Sequence, residues 1–154
     1  MYIAIVALTM LILPVSSILF ARSMNPAAAW IDLIGLWFVV WGVGARLGLA
    51  GARQILRPEF TAHDILGMSG DGALLIVREL GFANLAIGIV GLLAWRYPAF
   101  VLPAAIYASI FYAAAGGLHL MEHERGLNEN VAMVSDMFIA LVLGGYVAAI
   151  LIKA

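Results

Sequence analysis

In a chain of 154 residues, 65% of the side chains are hydrophobic and 11% are charged, with mean hydropathy +1.07; a soluble domain carries about 25% charged residues, so an ordinary soluble fold is excluded. A net charge of −1 argues against nucleic acid as a partner. The absence of cysteine removes disulfides, thiolate zinc sites, iron–sulfur clusters and covalent haem attachment, and leaves the redox compartment open.

Five apolar stretches, near 2–21, 30–52, 73–95, 99–121 and 131–152, are each long enough to cross ~30 Å of hydrocarbon as a helix. The expected fold is therefore all-α, one integral membrane domain over 1–154, with about five transmembrane helices. Four would remain if the first segment were peripheral. That first segment, Tyr2 to Ala21, lacks a positive n-region and has a long apolar run, so it reads as a retained span and not a secretory signal. Pro14 lies inside it and predicts a kink. Asn25-Pro26 breaks the chain before the second span. Asp32 suits that helix's N-terminus, and Trp30, Trp95 and Tyr97 read as interface anchors. Trp37 and Trp41 lie deeper, where core packing is the default and a pigment or quinone wall the remote option.

Arg46, Arg53 and Arg57 sit at i, i+7 and i+11 and form one basic stripe if the second helix continues into the connection. With Arg78 they can bind an anionic headgroup, a phosphate or a carboxylate. Pro58 predicts that the span ends at or just before Arg57. The connection, 54–72, reads as a structured interfacial loop: Thr61 caps a short helix from Asp64 to Met68, and Ser69-Gly70-Asp71-Gly72 breaks it. His63 and Asp64 are expected in water.

Small residues at helical spacing supply packing faces. Gly44 and Gly48, with Gly51 close by, lie in the second span, Gly81, Gly88 and Gly91 in the third, and Gly116 and Gly117 in the fourth. Asn84 shares the third span's glycine face, where an interhelical hydrogen bond is its expected use. Glu79 points away from that face, about six residues into the apolar run. A buried carboxylate must meet a cation or take up a proton. Tyr97-Pro98 opens the fourth span, and Pro103 predicts a kink in it.

Tyr112, Gly116, His119 and His123 share one face of the fourth helix, with Glu122 beside them. His119-Leu120-Met121-Glu122-His123 matches H-x-x-E-H, which resembles the inverzincin signature. Two imidazoles one turn apart can reach one divalent metal, with a carboxylate as third ligand. Glu79 and Asp136, from neighbouring helices, are candidates to complete the shell or to carry protons. The competing reading is a polar helix end meeting water, with Glu79 and Asp136 closed in arginine pairs that fix helix register. Bis-histidine haem is disfavoured unless a dimer shares it, because both intramembrane histidines lie on one face of one helix. Asn128 or Asn130 is expected to cap the fifth helix.

Lysine and arginine placement gives orientation. Arg46, Arg53, Arg57, Arg78 and Arg125 flank one side; Arg22, Arg96 and Lys153 flank the other. The first set is expected in the cytoplasm, with the N-terminus inside and the C-terminus outside. The polar cluster then lies near the cytoplasmic face.

From Trp41 to Asp136 the chain resembles an uncharacterised bacterial family of small multi-span inner-membrane proteins. The resemblance rests on Gly51-Ala52-Arg53-Gln54-Ile55-Leu56-Arg57-Pro58, Val77-Arg78-Glu79-Leu80-Gly81-Phe82-Ala83-Asn84 and Ser135-Asp136-Met137-Phe138. The general plan is similar to that of DoxX-like small membrane proteins. The resemblance implies a bacterial inner-membrane protein and carries no catalytic role. Function thus divides three ways: a working site for a metal or an anionic small molecule, an accessory subunit of a larger membrane complex, or a small transporter that oligomerises. The expected surroundings are a lipid bilayer, with an anionic lipid or a homo-oligomeric partner as further options.

Overall fold

A computed structural model describes residues 2–122 and 126–153. Five helices in it are long and apolar enough to cross a membrane: α1 Tyr2–Met24, α2 Trp30–Leu56, α3 Asp71–Leu93, α4 Pro98–Met121 and α5 Leu127–Lys153. Among the described residues there is no strand. The all-α expectation therefore holds, and the first segment is a full-length member of the bundle: Val6, Met10 and Ile18 join the main core.

The ends of the helices follow local chemistry. Asn25 leaves the helical region at φ −135° before Pro26. Arg57 does so at φ −144° before Pro58, so α2 ends at Leu56 where the proline predicts, four residues beyond the apolar stretch itself. The interfacial helix begins earlier than expected. Phe60–Ile65 forms a wide i→i+5 turn just after Pro58, and Thr61 lies inside it and not at its cap. His63 and Asp64 are exposed, as expected. Pro103 falls in the first turn of regular helix after the tight Pro98–Phe100 turn, where a missing N–H costs nothing, so no kink is needed there. Pro14 instead follows a wide turn at Leu8–Ile12. A second wide turn interrupts α2 at Val39–Ala45. α5 starts at Leu127, so Asn128 and Asn130 are inside its first turn and neither is the cap.

α2 and α3 meet along their glycines. A Cβ on Gly88 would lie 2.5 Å from the Gly48 backbone nitrogen; one on Gly91 would lie 2.6 Å from that of Gly44. One on Gly51 would lie 2.5 Å from the backbone nitrogen of Leu85. Lipid tails are as apolar as leucine, so helix association here depends on such close backbone approach. The glycine face expected as a packing surface is thus consumed within the chain. Val39, Val43, Ala104, Ala108, Tyr112, Ile139 and Leu143 fill the space between α2, α4 and α5. Trp41 donates its indole N–H to the Ser17 hydroxyl (3.0 Å), tying α2 to α1. Trp30, Trp95 and Tyr97 are exposed at helix ends, as interface anchors require.

Candidate functional site

The N-terminal ends of α1, α3 and α5 share one side of the bundle with the C-terminal ends of α2 and α4. A cavity of about 170 Å3 opens among them. Its polar lining is Tyr2, Arg46, Arg53, Gln54, Thr61, Asn84, Tyr112, His119 and Asp136; its apolar walls include Ile5, Leu47, Leu80 and Phe111. The interfacial turn covers it with Phe60, Thr61 and Ile65.

The cavity reaches far down. At 1.5 Å per residue, Arg46 lies about 15 Å from the C-terminal end of α2, and Asp136 about 14 Å from the start of α5. Asn84 lies about 20 Å along α3. Ionisable side chains this far along membrane-crossing helices are costly and usually face a cavity or one another.

Their hydrogen bonding is incomplete. Asn84, 2% exposed, donates to the Gln54 side-chain oxygen (2.9 Å), which is the interhelical bond expected of it. Its own Oδ1 is buried with no partner. Arg46 donates to the Tyr2 hydroxyl (3.3 Å) and lies over that ring, 5.5 Å from its centre. Its Nε is buried with no partner. Arg53 stacks on Phe60 at 3.7 Å. Asp136 is 8% exposed. Among the described residues no arginine lies within 4 Å of a carboxylate. The expected arginine pairs with Glu79 and Asp136 are therefore not formed, and the charges at this depth face the cavity. Tyr112 is fully buried and donates to the Gly42 carbonyl (2.7 Å) inside the wide turn of α2.

At the membrane-edge end of the cavity, His119 meets a second cluster. His119 Nδ1 is 3.3 Å from Glu129 Oε1, joining α4 to α5. One ligand atom each of His119, Glu122 and Glu129 lies within 4.8 Å of the others. His119 and Glu129 are buried and Glu122 is exposed, so the cluster has a closed side and an open one. Glu129 sits in the first turn of α5, where the helix dipole favours a negative charge.

The predicted residues divide clearly. Arg46, Arg53, His119 and Asp136 come together around the cavity. Arg57 and Arg78 are exposed and line no part of it. Glu79 is also exposed, because α3 turns Ala73, Val77, Gly81, Asn84 and Gly88 inward and Glu79 lies off that face. It completes no shell with His119. The H-x-x-E-H run is not one continuous helix: α4 ends at Met121 and Glu122 is extended (ψ 137°). His123 lies outside the described residues. Glu129, Gln54 and Tyr2 are not site candidates by sequence, and Thr61 is one only as a helix cap. Two of them left a signal: Glu129 is i−7 to Asp136, on the same face of α5, and Gln54 is i+3 to Gly51 on the face that meets α3.

No curated protein and no solved structure matches the chain. A family model does match, over residues 1–153. The chain belongs to the family of unknown function DUF6790.

Proposed function

We propose that the protein is a metal-binding membrane protein, with a divalent cation held by His119, Glu122 and Glu129 at the outer end of the intramembrane cavity. The observation that carries this reading is the convergence of three ligand atoms within 4.8 Å from the last turn of α4, its C-cap and the first turn of α5. One imidazole and two carboxylates suit zinc, manganese or ferrous iron. A cation would offset two adjacent carboxylates, and the exposed side at Glu122 leaves coordination positions for water or a ligand. Asp136 and the cavity arginines lie one step deeper and would act on what the metal holds. The lysine and arginine asymmetry supports a cytoplasmic position for this end of the bundle.

The test is elemental mass spectrometry on detergent-purified protein, after reconstitution with zinc or manganese. About one ion per chain is expected in wild type and in Glu79→Gln. It should be lost in Glu129→Gln and in His119→Ala. Wild type with no ion, or Glu129→Gln with an undiminished one, would overturn the reading. The direct His119–Glu129 contact favours a second reading, in which the pair only locks α4 to α5 inside a subunit of a larger complex. That reading predicts metal-free wild type and a melting temperature lowered by Glu129→Gln.

A further inference from the structure

The inner part of the cavity has a chemistry of its own. Arg46 and Arg53 face it against one carboxylate, Asp136, which leaves one positive charge in excess. The guanidinium Nε of Arg46 and the amide oxygen of Asn84 are buried without partners. A buried polar atom without a bond costs about 1–3 kcal/mol, and two of them border the same space. The walls between are aliphatic and aromatic: Ile5, Leu47, Leu80, Phe111. A free phosphate would leave those walls unused, and a cation would oppose the arginines.

We propose that this cavity binds a small organic monocarboxylate with an apolar body, its carboxylate on Arg46 and its body toward Asn84, whose amide oxygen can accept from a hydroxyl carried there. Size sets the limit. A cavity of about 150 Å3 is known to accept benzene, and this one is about 170 Å3, so the ligand has roughly the bulk of one aromatic ring bearing a carboxylate. The inference does not rest on the metal reading, since neither Arg46 nor Asn84 is in the metal cluster and the test is done with metal chelated.

Benzoate is the probe, titrated calorimetrically into the full chain in phosphatidylcholine nanodiscs with EDTA present. Saturable one-site binding is expected, with benzamide, the uncharged analogue, at least tenfold weaker and inorganic phosphate unable to compete. Arg46→Gln should weaken benzoate at least tenfold, while Arg57→Gln should leave it unchanged. Ala50 also lines the cavity, so Ala50→Phe fills it without removing a charge and should abolish binding in protein that still melts cooperatively. The wild-type comparison of benzoate with benzamide decides the matter even if Arg46→Gln fails to fold. No saturation by about 10 mM, the weak end of specific binding, would overturn the proposal, as would equal affinity for benzamide or full competition by phosphate. Decanoate binding more than tenfold tighter than benzoate would make the occupant a fatty acid and overturn the size assignment.

Discussion

Gly44 and Gly48 form one G-x-x-x-G pair in α2, and sequence rules treat them alike. The structure does not. A Cβ on Gly44 would lie 2.8 Å from the Leu92 backbone nitrogen and 2.9 Å from the Gly91 carbonyl carbon; a Cβ on Gly48 would meet nothing within 4 Å. Across the seam, Gly88 would place its Cβ 2.5 Å from the Gly48 nitrogen. Ordinary contact begins at 3.4 Å, so Gly88→Ala requires α2 and α3 to part by 3.4 − 2.5 = 0.9 Å at that point. A gap of 0.5–1 Å forfeits about a quarter to a half of each dispersion contact, and the neighbouring Gly44–Gly91 and Gly51–Leu85 approaches would open with it. Overpacking of this kind costs about 1–3 kcal/mol, partly offset by the roughly 0.5–1 kcal/mol that alanine gains over glycine within a helix. Gly88→Ala and Gly44→Ala should therefore be destabilised by up to about 2.5 kcal/mol, with about 1 kcal/mol as the central expectation. Gly48→Ala should equal or slightly exceed wild type. The assay is equilibrium unfolding in mixed micelles with increasing sodium dodecyl sulfate, followed by tryptophan fluorescence. If Gly48→Ala is lowered as far as Gly88→Ala, the open space at Gly48 and the tight approach at Gly88 are both refuted.

Two other predictions concern buried hydrogen bonds. In a double-mutant cycle, Asn84→Leu and Gln54→Leu should couple by about 0.6–1.7 kcal/mol, the range for membrane-helix hydrogen bonds, measured by the same unfolding titration; additive losses would deny the bond. Tyr112→Phe keeps the ring and removes the donor to Gly42, so it should cost about 1 kcal/mol and leave the helix content by circular dichroism unchanged.

The spans were legible because apolar length is read directly from sequence and membranes admit few alternatives. The glycine seam and the Asn84 bond were legible for a related reason: a helical period places Gly81, Asn84, Gly88 and Gly91 on one face, and only small residues allow the approach found there. Glu79 lies off the glycine face as its spacing predicts, but its depth in the apolar run does not bring it burial or a cation. It is as deep as expected along α3, yet exposed, and which neighbours cover a face is a tertiary property. The metal candidate shifted because H-x-x-E-H was read as unbroken helix. Glu122 turns extended, and the missing carboxylate comes from Glu129, in the first turn of α5 just ahead of the apolar stretch. Arg46, Arg53, His119 and Asp136 are legible by charge and spacing, while neutral Gln54 carries only its spacing from Gly51 and Tyr2 carries neither flag.

The wide turn at Val39–Ala45 bears on how evolution or an experimenter could retune this protein. One added residue in a helix rotates everything after it by about 100° relative to a regular 3.6-residue spiral. Arg46 and Arg53 both follow that turn, on the half of α2 that borders the cavity. The aim of both charges is thus set by one residue of chain length several positions upstream. Removing it would swing them together, as a unit, away from Asn84 and Asp136, with every side chain of the cavity still present in the sequence.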